Sequence, residues 1–227
     1  MDTFGITSPA VERYIEGLLP PRHPVLAEME RFGYEREFPI VGPLVGRFFS
    51  QVVLLSGARR VLELGSGFGY SAFWFASALP EDGRVICTEG DQGNADRAMA
   101  WLRRAELDHK VTFHVGDALT LLRDEIEGDF DLIFCDIDKW EYPAALEAAV
   151  PRLRDGGALL WDNVLWSGKV TEPTDDEWTV AIQAFNRRAF SHRELTTHIL
   201  PLRDGVVLAV KGQAHGAPGR GRASSPP

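Results

Sequence analysis

A chain of 227 residues, 44% hydrophobic and 25% charged, suits one α/β domain with small additions. Its formal net charge of −9 argues against a broad nucleic-acid-binding face, which needs clustered Lys and Arg. No apolar run approaches the ~20 residues of a membrane span, no basic-then-apolar start marks a secretory signal, and the only cysteines, Cys87 and Cys135, fall in apolar strands, so a cytoplasmic protein without disulfides is expected.

Before Arg59 the pattern predicts helices over 9–18, 22–34 and 43–56, which make residues 1–57 a helical N-terminal segment. Strands are then expected over 60–64, 84–89, 110–115, 130–136 and 157–162, with helices over 70–79, 94–106, 118–127 and 141–153 between them. In the second of these helices Ala95, Ala98, Met99, Leu102 and Ala105 share one face. Asp155-Gly156-Gly157 reads as a turn ahead of the fifth strand. A helix over 175–189 precedes two strands, 194–200 and 205–211, joined closely enough for an antiparallel hairpin. Strands apolar on both faces that alternate with helices imply a doubly wound, Rossmann-like α/β domain over 58–211. Its seven-stranded sheet should be mostly parallel, with a C-terminal antiparallel hairpin and helices on both faces. Residues 212–227 are rich in Gly, Pro and Ser and are expected to be a disordered tail.

The first strand ends in Glu63-Leu-Gly65-Ser66-Gly67-Phe-Gly69-Tyr-Ser71, where glycines admit positive φ and let a ligand approach the backbone. The spacing is not that of dinucleotide binders, and no Gly-Lys-Ser/Thr follows to cradle a phosphate. Glu89 ends the second strand near the interval at which an acid meets a ribose diol. Glu63 would repel a pyrophosphate, whereas S-adenosylmethionine has no phosphate and carries a cationic sulfonium and an amino group. This disfavours a nicotinamide dehydrogenase. Gly116-Asp117-Ala118 lines the adenine pocket on this reading, or is only a helix start with Asp117 as its cap.

The fourth and fifth strands end in Asp136-Ile-Asp138-Lys139 and Asp162-Asn163, with Trp166 and Lys169 following. If these strands are neighbours, ~4.8 Å apart, Asp136, Asp162 and Asn163 converge at the carboxyl edge. Two carboxylates and an amide oxygen suit a hard cation: Mg²⁺, with Mn²⁺ and Ca²⁺ as alternatives. The competing reading is that these residues cap turns. Lys139 is either a solvated surface lysine or, beside a divalent cation, a base for a phenolic proton. The six histidines show no metal-ligand spacing. Trp74, Trp101 and Trp178 are expected in the core, and Trp166 in the wall of a substrate pocket.

These residues resemble the cation-dependent O-methyltransferase family, which includes the caffeoyl-CoA O-methyltransferases and their bacterial relatives, with catechol O-methyltransferase more distant. The likeness runs from Phe38 to Lys211 and is carried by VLELGSGFGYSA, FDLIFCDIDKWEY and DNVLWSGKV. It implies the methyltransferase variant of the sheet, with Asp136, Asp162 and Asn163 as metal ligands and Lys139 as catalytic base. It further implies Val41, Glu63, Gly65, Ser66, Ser71, Glu89, Asp117, Ala118, Asp136 and Asp138 around S-adenosylmethionine. FPIVGP departs from the family's Met-containing stretch, and the first 37 residues match poorly. A homodimer is implied, with the N-terminal helices at the interface and over the substrate.

The chemistry expected is methyl transfer to an oxygen of a small catechol-like phenol, with the metal chelating vicinal oxygens and Lys139 accepting the proton. Two alternatives stand beside it: methylation of a 5-hydroxyuridine at the tRNA wobble position, and a non-catalytic S-adenosylmethionine-binding module.

Overall fold

The computed structural model describes residues 6–212. Helices α1 (Pro9–Gly17), α2 (Pro24–Glu35) and α3 (Gly42–Ser56) precede β1 (Arg60–Leu64). Then α4 (Tyr70–Ala78), β2 (Arg84–Glu89), α5 (Gln92–Arg104), β3 (Val111–Val115), α6 (Ala118–Asp124), β4 (Phe130–Cys135), α7 (Tyr142–Ala149) and β5 (Leu153–Trp161) alternate as expected. Helix α8 (Glu177–Ser191) and the strands β6 (Leu195–Leu200) and β7 (Val206–Lys211) complete the domain. Beyond Gly212, the expected tail lies outside the described residues.

The seven strands form one sheet in the order β3-β2-β1-β4-β5-β7-β6. The first five are parallel, and β7 pairs antiparallel with both β5 and β6. Strand periodicity divides the core into two layers. Val61, Leu132, Phe134 and Leu160 pack under α2, α3 and α4, while Leu62, Leu64, Ile133, Leu159 and Trp161 pack under α6, α7 and α8. Phe49 of α3 stacks on Phe75 of α4 at 5.1 Å and meets Phe134 of β4 at 4.6 Å, which seats α3 on the sheet. Gly46 brings α3 against α4: a Cβ there would lie 2.1 Å from Nε1 of Trp74. Cys87 and Cys135 are both buried and unbridged.

The expected turn at Asp155–Gly157 is instead part of β5. Gly156 takes φ +77°, and the register against β4 shifts between Phe130 and Leu132, so the segment bulges without leaving the sheet. The helix expected over 141–153 is shorter for a related reason. It ends at Ala149, and Val150–Arg152 tighten into a 3-10 turn around Pro151, which has no N–H to continue an α-helix.

Candidate active site

The glycine-rich turn sits between β1 and α4. Gly65 is at φ +82°, and a Cβ there would lie 2.5 Å from the carbonyl oxygen of Asp136, so both conformation and space demand glycine. The Gly67 N–H donates to Oε2 of Glu89 at 2.8 Å. Oε1 of Glu89 accepts from Asp91 N and from Asn94 Nδ2, each at 3.1 Å, so this acid braces the turn from the end of β2.

Glu63 points to the α4 side of the sheet and is fully buried. It accepts hydrogen bonds from the Ser71 hydroxyl and, at 3.4 Å, from the Cys87 thiol. Burial pushes its carboxyl up to about 7, outweighing the hydrogen bonds that favour its charged form.

A cavity opens between Phe38–Val41 on one side and Gly65–Ser71 with Asp136 on the other. It brings together Val41, Gly65, Ser66, Ser71 and Asp136. Glu63 and Glu89 support its walls from behind. Asp117, Ala118 and Asp138 do not line it: Asp117 caps α6 by accepting from Thr120 N at 2.8 Å, Ala118 opens that helix, and Asp138 precedes the 3-10 turn Lys139–Glu141. A larger cavity lined by Arg22, His23, Arg47 and Trp74 holds none of the residues expected at the site.

β4 and β5 are neighbours, and Cys135 pairs with Trp161 as the last residue of each strand in register. Asp136 and Asp162 therefore leave the same sheet edge side by side. Asp162 is 4% exposed, and its buried Oδ1 has no hydrogen-bond partner. Burial, followed by the charge of Asp136, pushes its pKa up. Asn163 follows in the left-handed region at φ +57°. Lys139 is buried, its ammonium 2.9 Å from Oδ1 of Asp136, 3.2 Å from the Ile137 carbonyl and 5.0 Å above the Tyr142 ring. The Tyr142 hydroxyl in turn donates to the Asp162 carbonyl at 2.9 Å.

This arrangement fits a hard divalent cation. An orphaned buried carboxylate oxygen beside a second carboxylate is costly unless a cation or proton satisfies it. Among the described residues no three His, Cys, Asp or Glu side chains group around a metal position. A cation at this edge would thus take Asp136, Asp162 and the Asn163 amide, and leave its other positions to water or substrate.

Trp166 is half-buried at φ +48°, and its ring lies 5.8 Å from that of Trp178, which is 5.4 Å from Trp140. Trp178 is not a core residue as expected. It sits in the first turn of α8, beyond the sheet, and is 40% exposed, while Trp74 is buried and Trp101 packs against the core. The sequence places the β6–β7 turn but gives it no part in the site. Buried Asp204 accepts a hydrogen bond from Ser167 N; its carbonyl accepts from Leu165 N at 2.9 Å, and that of Gly205 from Val164 N at 3.1 Å. Arg203 Nη1 donates to the Ile40 carbonyl at 2.6 Å. The one local signal was a charged Arg-Asp pair in a turn short enough to need neither.

A family model described as O-methyltransferase matches residues 19–212, extending the likeness N-terminal to Phe38. The chain is 32% identical over 212 residues to a catechol O-methyltransferase of Niastella koreensis, covering 88% of this chain and 96% of the relative. It is 30% identical over 220 residues to a caffeoyl-CoA O-methyltransferase of Populus kitakamiensis, covering 89% and 94%. Among solved structures, an O-methyltransferase from Bacillus cereus in complex with SAH superposes with a TM-score of 0.81 at 31% identity, covering 89% of this chain and 97% of that one. With the match spanning the sheet, the glycine turn and the acidic strand ends, the chain belongs to the O-methyltransferase family.

Proposed function

We propose that this chain transfers the methyl group of S-adenosylmethionine to a hydroxyl of a small catechol-like phenol, with the help of a divalent cation. The observation that carries the reading is the buried, unpartnered Oδ1 of Asp162 beside Asp136, at the edge of the cavity formed by the glycine turn. The solved relative with bound SAH supports the cofactor assignment.

Val41, Gly65, Ser66 and Ser71 would hold S-adenosylmethionine, which supplies an electrophilic methyl group, with Glu63 fixing Ser71 and Glu89 fixing the turn. A cation held by Asp136, Asp162 and Asn163 would supply Lewis-acid polarisation of the acceptor hydroxyl, most simply as Mg²⁺. Lys139, as the neutral amine, receives the hydroxyl proton at Nζ and becomes the ammonium, which donates to the carboxylate of Asp136 and the carbonyl of Ile137. Trp166 screens the acceptor from water on the loop side, and the segment Phe38–Val41 covers the opposite side.

A homodimer built on the N-terminal helices is part of the same proposal. It is supported by the exposed apolar side chains of Val11 and Tyr14 on α1, of Leu18 just after it, and of Leu54 and Leu55 on α3. Among the described residues no helix is long and apolar enough to cross a membrane.

The test is methyl transfer to a catechol panel with Mg²⁺ and with EDTA, for the native chain and Asp162→Ala, alongside calorimetry with S-adenosylhomocysteine. Turnover should vanish in EDTA and in the variant while the variant still binds S-adenosylhomocysteine. Full activity in either condition overturns the metal assignment. Binding without turnover of any acceptor, a tRNA bearing 5-hydroxyuridine included, would leave a non-catalytic module.

A further inference from the structure

Arg203 stands in the β6–β7 turn at φ +51°, a conformation that side-chain-bearing residues adopt at a cost. Its half-buried guanidinium reaches across the fold to the Ile40 carbonyl, on the wall of the cofactor cavity. Gly42 leaves room for it: a Cβ there would meet Nη1 at 2.9 Å. The same turn holds the other side of the site, since Asp204 and Gly205 bind the Val164–Ser167 loop. The turn that carries Arg203 is therefore tied to both walls of the site, to Ile40 on one side and to the loop after Asp162 and Asn163 on the other.

A guanidinium offers five N–H donors in a planar fork suited to carboxylates. Here the backbone of Ile40 engages one nitrogen, and Arg203 forms no ion pair among the described residues. Its other N–H donors therefore have no carboxylate partner among the described residues.

We propose that Arg203 is a specificity-determining residue that binds a carboxylate on the acceptor, so that catechols bearing an acid group are preferred over neutral ones. This rests on the reading that the acceptor's hydroxyls meet Asp136, Asp162 and Asn163.

The experiment compares the native chain with Arg203→Gln and Arg203→Lys, using S-adenosylmethionine and Mg²⁺. The acceptors are 3,4-dihydroxybenzoate and its neutral analogue 3,4-dihydroxybenzaldehyde. Glutamine keeps an N–H donor for Ile40 and removes the charge. Arg203→Gln should lower kcat/KM for the acid about 10- to 100-fold, mainly through KM, the worth of a charged hydrogen bond. The aldehyde should change by less than about threefold, and Arg203→Lys should recover part of the loss. Equal losses on both acceptors would make Arg203 a structural latch and overturn the proposal, as would no loss on the acid.

Tryptophan fluorescence titrations with the same two ligands, in the presence of S-adenosylhomocysteine and Mg²⁺, separate this proposal from the reading beneath it. If the native chain methylates neither acceptor, the catechol reading fails. Selective weakening of dihydroxybenzoate binding in Arg203→Gln would still support the anion site, and unchanged binding would overturn it.

Discussion

The ammonium of Lys139 lies 2.9 Å from Oδ1 of Asp136, so a single carboxylate both orients the proposed base and contributes to the proposed cation site. The two roles are compatible because a carboxylate has two oxygens and about four lone-pair directions. The i,i+3 spacing in the turn after β4 sets the contact locally, and the 3-10 turn Lys139–Glu141 holds it.

Lys139→Gln should therefore cost more in turnover than in binding. Loss of a positioned base lowers kcat by about 10²- to 10⁴-fold, whereas affinity for S-adenosylhomocysteine should change little. Rapid-quench methyl transfer and calorimetry on the same preparation check this. Retained kcat would remove Lys139 from the chemistry.

Glu63 makes the stability of the ligand-free chain depend on pH. Its carboxyl ordinarily titrates at 4.5 and in the fold at about 7, so the folded chain holds this proton more tightly than the unfolded chain. The contribution to stability is fully present below about pH 4.5 and is lost as pH rises to about 7. Glu63→Gln should flatten that slope and raise stability above pH 7 by on the order of 2–3 kcal/mol. Thermal unfolding at pH 5, 6, 7 and 8 measures it, and an unchanged pH slope would contradict the assignment.

Gly65→Ala should damage the cofactor cavity directly. The new Cβ would meet the Asp136 carbonyl at 2.5 Å from a backbone at φ +82°, and neither atom belongs to a flexible side chain. A loss of at least about 2 kcal/mol in stability is expected, with S-adenosylhomocysteine binding weakened tenfold or more. Differential scanning fluorimetry with and without the ligand reads both effects.

Asp204→Ala should loosen the Trp166 loop without touching the glycine turn. It removes a buried acceptor for the Ser167 N–H, a change worth about 1–3 kcal/mol. KM for the acceptor should rise several-fold while affinity for S-adenosylhomocysteine stays near the native value. If instead both fall together, the turn supports the whole fold and not the acceptor loop.

Much of this molecule is legible along the chain because its signals are local. Apart from Glu63, Val61–Leu64, Ile133–Cys135 and Leu159–Trp161 are apolar on both strand faces, the pattern of a covered sheet. Gly65 and Asp136 follow their strands where open α/β sheets bind ligands, so one wall of the cavity and the acidic edge follow from strand ends. The β5 bulge was less visible, because Asp155-Gly156-Gly157 has turn composition and only pairing with β4 keeps it in the sheet.

By itself, then, the sequence determined the sheet, the winding of its helices, the glycine turn and the pair Asp136 and Asp162, all of which depend on short-range periodicity and on strand ends meeting at one edge. Only the tertiary structure decided that Trp178 faces outward toward Trp166 and that Arg203 bonds to Ile40 across 163 residues of chain. The same holds for Glu63 standing behind the cavity as the support of Ser71. The physical reason is common to all three. A side chain's partner across the fold is chosen by packing between distant segments, and no local propensity encodes which distant backbone group a guanidinium will reach.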